Sequence, residues 1–200
     1  MSQQYSYSWF IQQFENSKAD AEKFILSVDE AQFLQSPASD KWCIAECYSH
    51  LIKFGALYYK NLAGELWKEV HTENPDQAFN SRWIFQKVVN YFEPPYKIKI
   101  KTFEQMKPDP VSGYSRIELL DEYINLQDQL ITLLKQFKHR QVDLRRSKMP
   151  HPIFPRLKLT LSESFALLET HQRRHQWQAE QVLRVVSQRN KENSQSSAEE

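Results

Sequence analysis

Apolar residues recur at helical intervals along four long stretches of the chain. The first runs from about Tyr7 to Val28, where Phe10, Phe14, Ala21, Phe24, Ile25 and Val28 fall near one face and Lys18 interrupts the stripe. Ser36-Pro37-Ala38-Ser39-Asp40 breaks it from a second helix, expected from Cys43 to about Val70. The face of that helix continues through Cys47, His50, Phe54 and Leu57 at steps of three and four. Gly55 and Gly64 weaken it slightly and would permit close approach of a neighbour. A third stripe, from Ile117 through Leu120, Ile124, Leu130, Ile131 and Leu134 to Phe137, predicts a helix from Ser115 to about Lys138. The fourth is expected from Thr160 to about Val186. Three of the starts have the outline of a capping box: Cys43-Ile-Ala-Glu46, Ser115-Arg-Ile-Glu118 and Thr160-Leu-Ser-Glu163. In the first, cysteine stands where serine or threonine would accept the backbone hydrogen bond.

Between these stripes the pattern is irregular. Within residues 71 to 113, Ser81 to Phe92 reads as a short helix that Pro94-Pro95 stops, and Lys97 to Lys101 alternates like a short edge strand or extended crossover. Pro108-Asp109-Pro110 and Ser112-Gly113 mark turns. The twenty residues before the fourth helix are basic and broken by Pro150, Pro152 and Pro155. A connection as long as the first of these can cross the end of a bundle and return parallel. The pattern as a whole predicts an all-α fold: a single four-helix bundle over residues 1–188, with long irregular connections between helices 2 and 3 and between helices 3 and 4. Residues 189–200 are polar, lack apolar anchors and are expected to form a disordered tail.

Composition narrows the function. Only three glycines occur, unclustered, which disfavours a phosphate-cradling loop. A formal net charge of +1 gives no electrostatic reason to expect nucleic acid or an anionic membrane as partner. No apolar stretch approaches the ~20 residues of a membrane helix, and MSQQYSYSWF has no basic region leading into an apolar run, so no signal peptide is expected. Cys43 and Cys47 lie one helical turn apart, a poor arrangement for a useful disulfide, and two reduced thiols fit a cytoplasmic location.

The chemistry lies in the histidines. His71, His139 and His151 fall in expected linkers or at helix ends and read as surface residues. His171 and His175 project from one side of the fourth helix about a turn apart, close enough for two imidazoles to bind one ion. Leu161, Leu168 and Val182 share their angle, so the pair points inward. His50 points inward with Cys47, Phe54 and Leu57. Three neutral imidazoles on interior faces of two helices form a trio that one divalent cation would satisfy, leaving a coordination position open. A satisfied core histidine and a chance pair are the competing readings. His171-Gln-Arg-Arg-His175 is not the zincin motif, because Gln172 stands at its glutamate position, and Glu169 lies only two residues from His171, not the three of the di-iron motif.

Trp42-Cys-Ile-Ala-Glu46-Cys-Tyr-Ser-His50-Leu51 resembles the start of the second helix in the DinB-like family. His151-Pro152 through Leu159-Thr160, then Glu163 and His171-Gln-Arg-Arg-His175-x-x-Gln178, is similar to that family's fourth helix and its approach. The resemblance implies a four-helix bundle in which His50, His171 and His175 hold a metal, nickel or zinc, in a protein that is often a homodimer. It also implies a small-molecule substrate, since characterised relatives include metal-dependent transferases that join a low-molecular-weight thiol to an electrophile, and thiol-dependent isomerases. Many members have no known activity, and the family name does not imply DNA binding. Cys43 departs from the family's capping residue without touching the ligands. Glu46 reads as the capping partner and Trp42 as packing at the start of the helix. Cys47 reads as a small buried hydrophobe, with a fourth, soft ligand as the alternative, and Gln178 as a residue bonding across a helix interface or orienting a ligand. Arg82, Arg145, Arg146 and Arg156 lie where they would roof a cavity or face solvent. Three functions stay open: an enzyme with an open coordination position facing a pocket, a binding module with a closed structural site, and a metal-free degenerate member.

Overall fold

The computed structural model describes residues 3–64, 67–95, 102–108 and 111–196. Four long helices form the bundle: α1 (Tyr7–Ser27), then, after a short α2 (Glu30–Leu34), α3 (Ile44–Ala63), and, after α4 (Trp83–Phe92), α5 (Arg116–His139) and α6 (Leu161–Ser196). Among the described residues, strands are two or three residues long. β1 (Gln4–Tyr5) pairs antiparallel with β2 (Phe79–Asn80), and β3 (Lys148–Pro150) with β4 (Lys158–Thr160). The chain is all-α in architecture, as its periodicity predicts.

The capping residues set the starts. Cys43 N–H donates to Glu46 Oε2 at 2.8 Å, Glu118 N–H to the Ser115 hydroxyl at 3.4 Å, and Thr160 and Glu163 cap each other reciprocally at 2.9 and 3.2 Å. The second long helix ends earlier than its apolar pattern suggests, at Ala63 rather than near Val70. Gly64 leaves the helix in an extended conformation, and the Trp67 indole N–H turns back to the carbonyls of Asn61 and Leu62, closing the last turn. Val70 then exchanges hydrogen bonds with Ser147 and Asp143. At the other end, α6 continues through the polar residues after 188 to Ser196, where polarity alone suggests a chain without order. Its extension is tied to the α2 region by Arg189 on the Ser36 carbonyl and by Gln35 with Asn190. The hairpin of β3 and β4 occupies the proline-broken segment, with Pro150 at a strand end. Lys97–Lys101 lies outside the described residues, as do Asp109 and Pro110.

α1 and α3 each pack against both α5 and α6, so they stand at opposite corners. Tyr48 meets Tyr123, and Gly55 faces Leu126, so α3 and α5 run parallel; described parts of the connection between them lie against α6, through α4, and against the middle of α3, through Met106. Tyr48 reaches Gln176 while His50 reaches His171, so α3 and α6 run antiparallel. The core divides into two apolar clusters. One gathers Phe10, Phe14, Tyr58, Leu134 and Phe165; the other gathers Ile25, Cys47, Tyr48, Leu120 and Val182. A buried polar layer separates them, in which Gln127 bonds Gln172 at 3.0 Å and the three histidines of α3 and α6 lie together.

Candidate metal centre

His50 is carried by the middle of α3, and His171 and His175 by one face of α6. All three are buried, at 3–7% exposure, and one nitrogen from each lies within 4.8 Å of the others. The ring centroids are 4.5 to 5.1 Å apart. The Nδ1 of His50 lies 2.7 Å from the Met106 carbonyl oxygen, which only accepts. The proton of the neutral His50 ring is therefore on Nδ1, and its Nε2 presents a lone pair to the centre of the cluster. That Nε2 is 2.9 Å from Nε2 of His171. At that separation the two nitrogens would be able to share one ion, which would act there as a Lewis acid. Among the described residues, Nδ1 of His171 and Nδ1 of His175 are buried without a hydrogen-bond partner.

Burial pushes the pKa of all three rings below the ordinary histidine value, strongly for His171 and His175. The facing rings and the Arg174 guanidinium add to the effect at His171 and His175; at His50 Arg174 adds to burial, while the Met106 hydrogen bond opposes it. The rings are neutral at pH 7, the state in which imidazole ligates. Packing fixes their orientation. Phe54 stacks on His171 at 4.0 Å with 16° between planes, and Trp42 lies 5.0 Å from His50 and 6.0 Å from His175. The cluster can hold a metal ion, since three buried, neutral, convergent nitrogens form a suitable donor set.

The histidines form part of the wall of a cavity of about 370 Å³, a size typical of small-molecule sites. Trp42 lines it, and so does more than close the start of the helix. His151 lines it too: the half-buried ring is bonded to Tyr58 and is not a surface residue, whereas His71 and His139 are exposed. None of Arg82, Arg145, Arg146 and Arg156 reaches the cavity. Arg82 forms a fork on Glu163, Arg145 pairs with Asp143, and Arg146 and Arg156 are exposed. The buried arginine on the wall is Arg174, whose guanidinium lies 5.4 Å from the Phe92 ring centroid. Its position in sequence was a usable signal, because Leu167, His171, Arg174, His175 and Gln178 share one helical face. Tyr58 was legible in the same way, two turns after His50 on the stripe through Phe54. Nothing in the sequence marks the Met106 carbonyl.

Cys47 is not among the groups that meet. It is wholly buried in the second apolar cluster, and burial pushes its pKa well up, so it stays a thiol. Gln172 bonds Gln127 on the far side of α6, which removes a zincin-like base. Gln178 lines the cavity one turn beyond His175.

A helical bundle whose buried polar layer holds three histidines against a cavity is the class of protein defined here. The DinB superfamily family model matches residues 13–179, a stretch that contains all three histidines, and the chain belongs to that family. No curated protein and no solved structure matches it.

Proposed function

We propose that His50, His171 and His175 hold a divalent ion, nickel or zinc, in an enzyme that activates a nucleophile on a small molecule bound in the adjoining cavity. The observation that carries this reading is the convergence of three buried neutral imidazoles, one locked as the Nδ1–H tautomer by Met106, on a single point in a cavity wall. When bound, the ion supplies a positive charge that lowers the pKa of a ligated thiol or water to near neutrality. The family pattern favours a low-molecular-weight thiol and its transfer to an electrophile. The chain's own residues would do the rest. Met106 and Phe54 orient two of the ligands, Trp42 and Phe92 exclude water, and Arg174 places a fixed cation beside the reacting groups.

The position of Cys47 outside the cluster favours an open coordination sphere over a closed structural one. Two buried, unbridged thiols favour the cytoplasm, and among the described residues no helix is long and apolar enough to cross a membrane. A homodimer finds a surface on α4, where Trp83, Ile84, Val88 and Tyr91 are exposed. The deciding experiment is metal analysis of protein purified without a histidine tag, before and after reconstitution with zinc or nickel. About one ion per chain in the wild type, lost in His171→Ala, is the expected result. Failure of the reconstituted wild type to retain metal would refute the proposal.

A further inference from the structure

His151 sits at the end of β3, and its ring is held from two sides. The backbone N–H groups of Ile153 and Phe154 both donate to Nδ1, at 3.1 and 3.2 Å. A ring nitrogen that accepts two such bonds carries no proton, so the proton of the neutral ring is on Nε2. Nε2 lies 3.1 Å from the Tyr58 hydroxyl oxygen. The bond between them therefore runs from His151 to tyrosine, and the phenolic proton takes no part in it. Burial lowers the pKa of His151 and raises that of Tyr58, which keeps both neutral.

Tyr58 is fully buried from bulk solvent and has no other hydrogen-bond partner among the described residues, yet it and His151 both line the cavity. A buried O–H donor without an acceptor is costly, and an acceptor atom supplied by a ligand removes that cost. Phe54 packs between the two polar ends, stacked on Tyr58 at 4.8 Å and on His171 at 4.0 Å. Along α3, Tyr58 lies about 12 Å from His50, roughly the length of a small organic molecule. Among the described residues, Arg174 places a positive charge on the same wall.

We propose that Tyr58, oriented by His151, donates a hydrogen bond to an oxygen of a small carboxylate-bearing ligand whose apolar body lies along Phe54 towards the three histidines. The Tyr58 end stands on the cavity alone, while the role of the histidine end rests on the metal reading above. In these terms Tyr58 is a binding residue and His151 a positioning residue.

The test uses benzoate as probe and toluene as its counterpart without an acceptor. Both are titrated by NMR into chelator-treated and zinc-reconstituted protein. Tyr58→Phe should raise the benzoate Kd about tenfold in both preparations and change the toluene Kd less than twofold. A long-range ¹H–¹⁵N spectrum of the wild type should show His151 as the Nε2–H tautomer, a reading that needs no variant to fold. An Nδ1–H tautomer, no benzoate binding, or equal losses for both probes would overturn the inference. Benzoate discrimination in protein that retains no zinc would uphold it while refuting the metal site, and metal retention without discrimination would do the reverse.

Discussion

Alanine at Gly55 should destabilise the protein even though it improves the helix. A Cβ at Gly55 would sit 2.4 Å from Leu126 Cδ2 and 3.3 Å from Leu126 Cγ, where unstrained carbons stand about 3.5–4.0 Å apart. Leu126 would have to retreat by roughly 1 Å, yet it is buried in the larger apolar cluster with little room to move. Overpacking of this kind costs about 1–3 kcal/mol. Exchanging a helix-interior glycine for alanine offsets about 1 kcal/mol of that. The expected net loss is therefore about 0–2 kcal/mol, which lowers Tm by up to roughly 4–8 °C in a chain of this size. A double-mutant cycle separates the two contributions. In a Leu126→Ala background the clash is gone, so Gly55→Ala should stabilise by about 0.5–1 kcal/mol. Urea unfolding of the four proteins measures both legs through the midpoint and slope. Equal stabilisation by Gly55→Ala in both backgrounds would refute the close approach of α3 and α5.

Three further outcomes follow from the site and its supports. Chelator-treated protein should be acid-labile, because a base whose folded pKa is depressed contributes stability above its unfolded value, here 6.5, and loses it as pH falls towards the folded value. Between pH 7 and pH 5 the loss is at most about 2 kcal/mol for each of His171 and His175; urea midpoints should fall accordingly, and a His171→Leu, His175→Leu variant should show a flatter profile. Glu163→Ala removes half of a capping box and the Arg82 fork from a carboxylate only 1% exposed. A loss of about 1–3 kcal/mol is expected, discounted because the Arg82 side chain is itself largely exposed, and an unchanged unfolding midpoint would contradict it. Should the chain dimerise through α4, Trp83→Glu with Ile84→Glu will yield monomers by light scattering with metal content intact; persistence of the dimer would place the contact elsewhere.

The helices were legible because their starts carry chemistry as well as periodicity. Ser115 and Thr160 announce α5 and α6, and Glu46 announces α3 despite Cys43. The end of α3 was less legible, since the apolar residues Leu66, Trp67 and Val70 continue a helical spacing, while the chain is turned by Gly64 and by an indole bond local to the fold. The trio of histidines was readable from two inward faces. Its surroundings were not readable to the same degree. His151 sits among prolines that read as surface linker, and β3 and β4 are too short to leave an alternating pattern. The Met106 carbonyl belongs to the backbone, and no side-chain pattern reports where a backbone oxygen will point.

The three histidines are separated in sequence by 121 residues between the first and second, and the last two ride on α6. A chain emerging from the ribosome exposes His50 long before its partners exist. The cluster therefore assembles only when α6 has docked antiparallel onto α3, and a product halted anywhere before His171 has a single imidazole in its place. The cluster is thus a record of the pairing of α3 with α6: it exists only where synthesis has passed His175 and the two helices have docked, so whatever reads it reads contacts made across most of the sequence.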